Sequence, residues 1–172
     1  ERWKVSFFVM VPTAASALMQ VQVKSDVSSL RYALCGSAPL PKDLFNKFED
    51  TTGLQILEGY GMTETTCLIS GYPPAGTKKI GSVGIPFPYC DVKILSFKEN
   101  GKVSGECKVD EIGEICVNNP GVLVGKTYTD SDKNKDLFAF STHLRTGDLG
   151  KLDSDGYLWI TGRAKDLIIR GG

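Results

Sequence analysis

An α/β fold is predicted, with a parallel α/β layer segment followed by a small antiparallel, β-barrel-like subdomain, and three observations carry that expectation. Short apolar runs alternate with one-sided helical patterns through the first 75 residues. The remainder breaks into brief β-rich runs separated by glycine-containing turns. A proline- and glycine-rich stretch at 73–88 joins the two styles, so residues 1–75 and 76–172 are expected as two units.

Taken in order, Ser6 to Val11 reads as a strand buried on both faces. Pro12 then opens a helix through Gln20, standing in the first turn where its missing N–H costs nothing. Tyr32 to Cys35 is a second buried run. A helix starting at Pro41 carries Leu44, Phe45 and Phe48 on one face and stops near Gly53. Leu54 to Leu57 is the third short run, and strand–helix–strand–helix–strand order implies parallel pairing. Ligands of such sheets sit at the carboxyl ends of the strands. Cys35-Gly36-Ser37-Ala38-Pro39 and Glu58-Gly59-Tyr60-Gly61 are expected at two such ends. In the second half, Asp91 to Phe97, Gly113 to Val117, Leu149 to Leu152 and Tyr157 to Thr161 read as antiparallel strands. Turns at Glu99-Asn100-Gly101, Asn119-Pro120-Gly121 and Ser154-Asp155-Gly156 separate them.

Composition excludes several classes of function. With 172 residues, 41% of them hydrophobic, the chain can bury a core. Twenty basic residues balance twenty acidic ones, so no global charge draws it to nucleic acid or to anionic membrane. No apolar run is long enough to span a bilayer. Five scattered cysteines with no CxxC pair, and a single histidine, argue against zinc and fit reduced thiols in the cytoplasm. The chain opens on Glu1 and stops at Gly171-Gly172 directly after an apolar run, and it reads as a piece of something longer.

The densest chemistry lies in Leu57 to Thr66, where Tyr60, Gly59, Gly61, Thr63 and Glu64 fall within six positions. An aromatic face suits a base, glycines let backbone approach a nucleotide, a hydroxyl can donate to phosphate, and a carboxylate suits Mg²⁺. The commoner reading of Thr63-Glu64 is a helix start, with Thr63 as cap and Glu64 beside the dipole. The commoner reading of Tyr60 is a packed core tyrosine. Ser154-Asp155-Gly156 reads as a hairpin turn. A two-residue loop pairs Asp148 with Thr161 and a three-residue loop pairs it with Gly162; either leaves Arg163 on the diagonal. That pair could cradle a sugar's hydroxyls or form a surface salt bridge worth about 0–1 kcal/mol. His143, in a polar segment, is expected at the surface. Ser37 has no GxSxG elbow around it, which argues against a hydrolase, and GxxxxGK[ST] and GxGxxG are absent.

Six segments together resemble the adenylate-forming (AMP-binding) superfamily of acyl-CoA synthetases, luciferases and peptide-synthetase adenylation domains. They are Gly36 to Leu40, Glu58 to Glu64, Gly81 to Pro86, Gly113 to Val117, Arg145 to Gly150 and Thr161 to Gly172, in the family's order. The resemblance implies an enzyme that joins a carboxylate to Mg-ATP, giving an acyl-adenylate and pyrophosphate, and then transfers the acyl group to a thiol. It implies that Ser37, Ala38 and Pro39 border adenine and that Tyr60 stacks on it, within a nucleotide segment running Glu58, Gly59, Tyr60, Gly61, Met62. Thr63 and Glu64 would be the catalytic pair, on the α-phosphate and on Mg²⁺ respectively. Asp148 would take the ribose hydroxyls with Arg163 beside it, and Lys165 would be the hinge to a C-terminal domain. Met62 and the segment Gly162 to Ile168 look like the acyl-CoA synthetase branch, where peptide-synthetase domains usually carry proline at that methionine. Coenzyme A is therefore the implied acceptor, and the room left by Gly59 favours a fatty acid over an aryl acid. The family's glycine-rich phosphate loop and its catalytic lysine have no counterpart in these residues, so this segment is expected to be inactive alone. Its partners are the acid and the rest of the same enzyme. A non-catalytic nucleotide-binding module and an enzyme that loads a carrier protein stay open. At Gly125-Lys126-Thr127-Tyr128 the sequence departs from the family's closer glycine–tyrosine spacing.

Overall fold

The computed structural model describes residues 2–22 and 26–164. Its first sheet begins with β1 (Phe7–Met10), α1 (Pro12–Leu18), β2 (Tyr32–Cys35), α2 (Lys42–Thr52) and β3 (Gln55–Met62). β1 pairs with β2 and β2 with β3, both parallel, as the alternation of strands and helices predicts. Pro12 sits in the first turn of α1, and Gly53 closes α2 in the left-handed conformation with φ 69°. Phe45 and Phe48 of α2 drop to 2% exposure against Ala33, Cys35, Ile56 and Tyr72, forming the first core. Truncating either ring to alanine would remove about 3–5 kcal/mol.

Two expectations for this sheet are corrected. β1 is an edge strand with Phe7 44% and Val9 67% exposed, so it is not buried on both faces. β3 does not stop at Leu57. It runs on to Met62 because β4 (Cys67–Gly71) returns antiparallel beside it and takes over pairing where β2 ends. The return is tight. A Cβ on Gly61 would lie 1.6 Å from the Cys67 carbonyl oxygen, so no other residue fits there. Thr66 (φ 55°) and Cys67 (φ 83°) make the turn in left-handed backbone. β5 (Ile85–Pro86), inside the stretch read as a connector, completes the order β1-β2-β3-β4-β5.

The second sheet is antiparallel. It comprises β6 (Asp91–Phe97), β7 (Val103–Glu106), β8 (Gly113–Asn118), β9 (Phe138–Ala139), β10 (His143–Leu152) and β11 (Leu158–Arg163), ordered β11-β10-β8-β6-β7 with β9 beside β10. The barrel-like closure expected here is replaced by an open sheet, since no pair joins β7 to β11 among the described residues. β8 is central and buried from Gly113 to Val117, with Ile115 and Val117 packed against Ile69, Ile94 and Leu158. Ile69 belongs to β4, so this second core also couples the two sheets. No helix among the described residues is long and apolar enough to cross a membrane.

A candidate nucleotide site between the two sheets

The carboxyl half of β3 and the β10–β11 hairpin converge on one carboxylate. The Tyr60 hydroxyl donates to Asp148 Oδ2 at 2.7 Å across 88 positions of sequence. Arg163 Nε donates to Asp148 Oδ1 at 3.1 Å. Asp148 is 8% exposed while the Arg163 side chain stays 71% exposed, so the guanidinium stands at the rim. Burial holds the Tyr60 hydroxyl far above the ordinary phenol range, so it is a neutral donor at any physiological pH. The Tyr60 ring also packs against the second core, as expected of a packed core tyrosine.

A bulge brings Arg163 directly opposite Asp148 instead of one step along the diagonal. The hairpin follows the three-residue register, with Leu152 facing Leu158 and Gly150 facing Ile160. Between Leu149 and Gly150 the register shifts by one, Thr161 has no opposite number, and Asp148 pairs with Arg163. Each carboxylate oxygen keeps a lone pair beyond the one it gives to Tyr60 or Arg163, so the site can still accept from hydroxyls.

Thr63 and Glu64 lie on a single 3-10 turn, Thr63–Thr65, that continues β3. The turn's cap is Met62, and the hydroxyl that serves it belongs to Thr65, which accepts from Met62 N at 3.4 Å and donates to Met62 O at 3.0 Å. The capping role weighed for Thr63 therefore falls to Thr65. Thr63 is exposed, and its hydroxyl has no hydrogen-bond partner among the described residues. Glu64 Oε1 accepts from the Tyr128 hydroxyl at 2.5 Å, while Oε2 is open among the described residues. Such a carboxylate oxygen beside a free hydroxyl is the kind of hard donor set that fits Mg²⁺ with phosphate oxygens. Sequence reasoning missed Tyr128, whose only signal was that the Gly125 to Tyr128 segment departs from its family's spacing. The loop approaching it is tied to the turn by Thr66 Oγ1 donating to Gly121 O at 2.8 Å and Asn119 Nδ2 donating to Thr65 O at 3.2 Å.

Ser37, Ala38 and Pro39 form an exposed turn after β2, with Ser37 left-handed at φ 68°. Gly36 and Ser37 meet Gly59, Gly61, Met62 and Thr63 around a cavity of about 900 Å³ whose lining, among the described residues, carries no charged side chain. Glu58 faces away from it. It is 5% exposed; among the described residues its Oε1 accepts only a long 3.4 Å bond from Leu40 N, and Oε2 has no partner. Burial pushes its pKa up to about 7 against the Leu40 N–H, which lowers it. Lys165 lies outside the described residues. His143, expected at the surface, is 6% exposed, because β9 pairs alongside it and Asp91 Oδ2 meets its Nε2 at 3.0 Å.

The sequence pattern of the AMP-binding enzyme family matches residues 1–128. The chain is 45% identical over 173 aligned positions to a marinolic acid–CoA ligase of Pseudoalteromonas sp. (strain SANK 73390), covering all of this chain and 26% of that protein. It is 37% identical over 147 positions to a long-chain-fatty-acid–CoA ligase of Bacillus subtilis (strain 168), covering 86% of this chain and 25% of the relative. An O-succinylbenzoate coenzyme A synthetase from Bacillus subtilis, solved with ATP and a magnesium ion, superposes with TM-score 0.81 at 35% identity. That match covers 99% of this chain and 34% of the other. ATP-bound MatB from Rhodopseudomonas palustris gives TM-score 0.84 at 34% identity, covering 96% and 32%. The chain thus spans between a quarter and a third of the length of these relatives.

Proposed function

The chain belongs to the AMP-binding enzyme family, and from that premise we propose that it is a segment of an AMP-forming carboxylate–CoA ligase. The observation that carries this reading is the Tyr60–Asp148–Arg163 cluster, whose Tyr60 lies on the same continuous strand and turn as Thr63 and Glu64. Asp148 accepts from the ribose hydroxyls of ATP, and Arg163 and Tyr60 hold its two oxygens at fixed angles for that task. Tyr60 offers its ring to adenine beside the Ser37-Ala38-Pro39 turn. Thr63, with a free hydroxyl, donates to the α-phosphate as the acid's carboxylate attacks and pyrophosphate leaves. Glu64 would hold Mg²⁺, which would supply neutralisation of the phosphate charge. Lys165 is assigned the hinge that lets a C-terminal domain exchange adenylation for thioester formation. Residues 1–75 carry the base and phosphate groups and 76–172 bring the ribose carboxylate to them.

The uncharged cavity beneath Gly59 supports a finer reading of the acid. A second charge buried there would lack a partner from this lining and would cost several kcal/mol. A monocarboxylic acid with an apolar body, such as a fatty acid, suits it, and coenzyme A is the acceptor. The five free cysteines suit a reducing, cytoplasmic setting. The test is acyl-CoA formation by the enzyme that carries this segment. Short, medium and long fatty acids, aryl acids and a sulfonated acid are each offered with coenzyme A and with a carrier-protein thiol. Preference for apolar acids and coenzyme A supports the reading. Preference for the sulfonated acid removes the acid assignment, and preference for the carrier protein removes the acceptor.

A further inference from the structure

The Arg145 to Leu149 segment of β10 is a second, wider bulge, and its own supports lie outside the groups assigned to the nucleotide. Opposite β8, Arg145 faces Cys116 and Leu149 faces Glu114, so three residues, Thr146, Gly147 and Asp148, stand against the single Ile115. A loop of that size on a sheet has lost ladder bonds and needs other partners to keep one shape. Glu114 supplies them. Its Oε2 accepts from Arg145 Nη2 at 2.8 Å and Nε at 3.2 Å, and its Oε1 accepts from Gly147 N at 3.2 Å. Gly147 turns the chain there at φ 75°. The Arg145 guanidinium is sandwiched from the other side by the Phe97 ring, 3.9 Å from its centroid. Thr146 Oγ1 donates to Ile115 O at 2.8 Å and accepts from Asp148 N at 3.1 Å, which closes the arch directly onto the residue that matters.

We propose that Glu114, clamped to Arg145 and Gly147, is a positioning residue that sets the aim of Asp148 and thereby the enzyme's recognition of ribose hydroxyls. Glu114 is 7% exposed, and among the described residues its hydrogen bonds go to Arg145 and Gly147, not to Tyr60 or Arg163. It acts through backbone. Fixing Arg145 and Gly147 at both ends of Thr146 leaves Asp148 one position from which its two oxygens meet Tyr60 and Arg163. The proposal rests on the reading of Asp148 as the ribose ligand.

The test compares binding of AMP with binding of 2′,3′-dideoxy-AMP by calorimetry in the enzyme that carries this segment. The ratio of the two dissociation constants isolates the sugar hydroxyls from base and phosphate. Asp148→Ala should collapse the ratio. Glu114→Gln, with one oxygen left for two donor groups, should weaken AMP about tenfold and leave the dideoxy nucleotide unchanged. Thr146→Val, which removes the arch hydroxyl without touching a buried charge, should do the same if Glu114→Gln fails to fold. The double variant with Asp148→Ala should be no worse than Asp148→Ala alone. A ratio that survives in Glu114→Gln and Thr146→Val, but falls in Asp148→Ala, overturns the proposal and leaves the ribose assignment standing. A ratio near one in the wild type, or one unaffected by Asp148→Ala, removes the ribose assignment and the proposal with it.

Discussion

Glu58 in the first sheet and Asp148 in the second are carboxylates buried to nearly the same degree, 5% and 8% exposed, yet their surroundings are opposite. Asp148 receives a phenol on one oxygen and a guanidinium on the other. Glu58 receives one long backbone bond, and its second oxygen has no partner among the described residues. Burial with partners keeps a carboxylate usable as an acceptor at the edge of a site, whereas burial without them drives it towards the neutral acid. Both residues sit in segments that mark the family, so motif membership alone does not tell a carboxylate with two side-chain partners from one with none.

The largest effect expected from breaking this contrast comes from Asp148→Ala. Tyr60 and Arg163 would lose their shared acceptor, and nucleotide affinity should fall about a hundredfold, or about 3 kcal/mol, read as the AMP dissociation constant. Unchanged affinity would return the cluster to a structural salt bridge.

Glu58 should be visible in stability instead. Its pKa rises from 4.5 to about 7 on folding, so the folded state holds the proton more tightly than the unfolded chain. Stability from this group is complete below about pH 4.5 and is lost as pH rises to about 7, by about 3 kcal/mol at most. Glu58→Gln should flatten that slope and raise stability at pH 8. Urea unfolding of both forms at pH 5 and pH 8 checks it, and an equal slope in both would assign the pH dependence to other groups.

A smaller effect is expected at the residue between these two environments. A Cβ on Gly59 would stand 3.2 Å from Leu68 Cδ2 and 3.6 Å from Leu34 Cδ1, at the wall of the uncharged cavity. Gly59→Val should shift preference towards shorter acids by roughly 1–3 kcal/mol in relative kcat/KM. An unchanged chain-length profile would detach the cavity from the acid. Tyr128→Phe is expected to be mildest. Loss of its hydroxyl from Glu64 should lower adenylation by about threefold to tenfold, seen in kcat more than in acid KM.

Much of the frame is legible in the sequence because it is local. Pro12, Pro41 and Gly53 punctuate the helices, and Phe45 and Phe48 identify the buried face of α2, so β1-β2-β3 follows without knowledge of any distant contact. What is illegible is set by tertiary partners. β3 reads as ending at Leu57 because nothing in Cys67 to Gly71 announces a returning strand; only the space at Gly61 permits it. The Asp148–Arg163 register depends on an unpaired Thr161, and a one-residue slip leaves no mark in composition. Tyr60 and Asp148 meet across 88 positions, so their motifs could be read separately but their hydrogen bond could not. Tyr128 and Glu114 were out of reach for the same reason, each being the partner of a motif residue in another strand or loop.

The most direct test of the central claim is carboxylate-dependent ATP–pyrophosphate exchange by the enzyme that carries this segment, measured for the wild type and for Asp148→Ala. The account predicts exchange stimulated by an apolar monocarboxylic acid and reduced about a hundredfold in the variant. Absence of exchange with every acid, or exchange indifferent to Asp148, would contradict it.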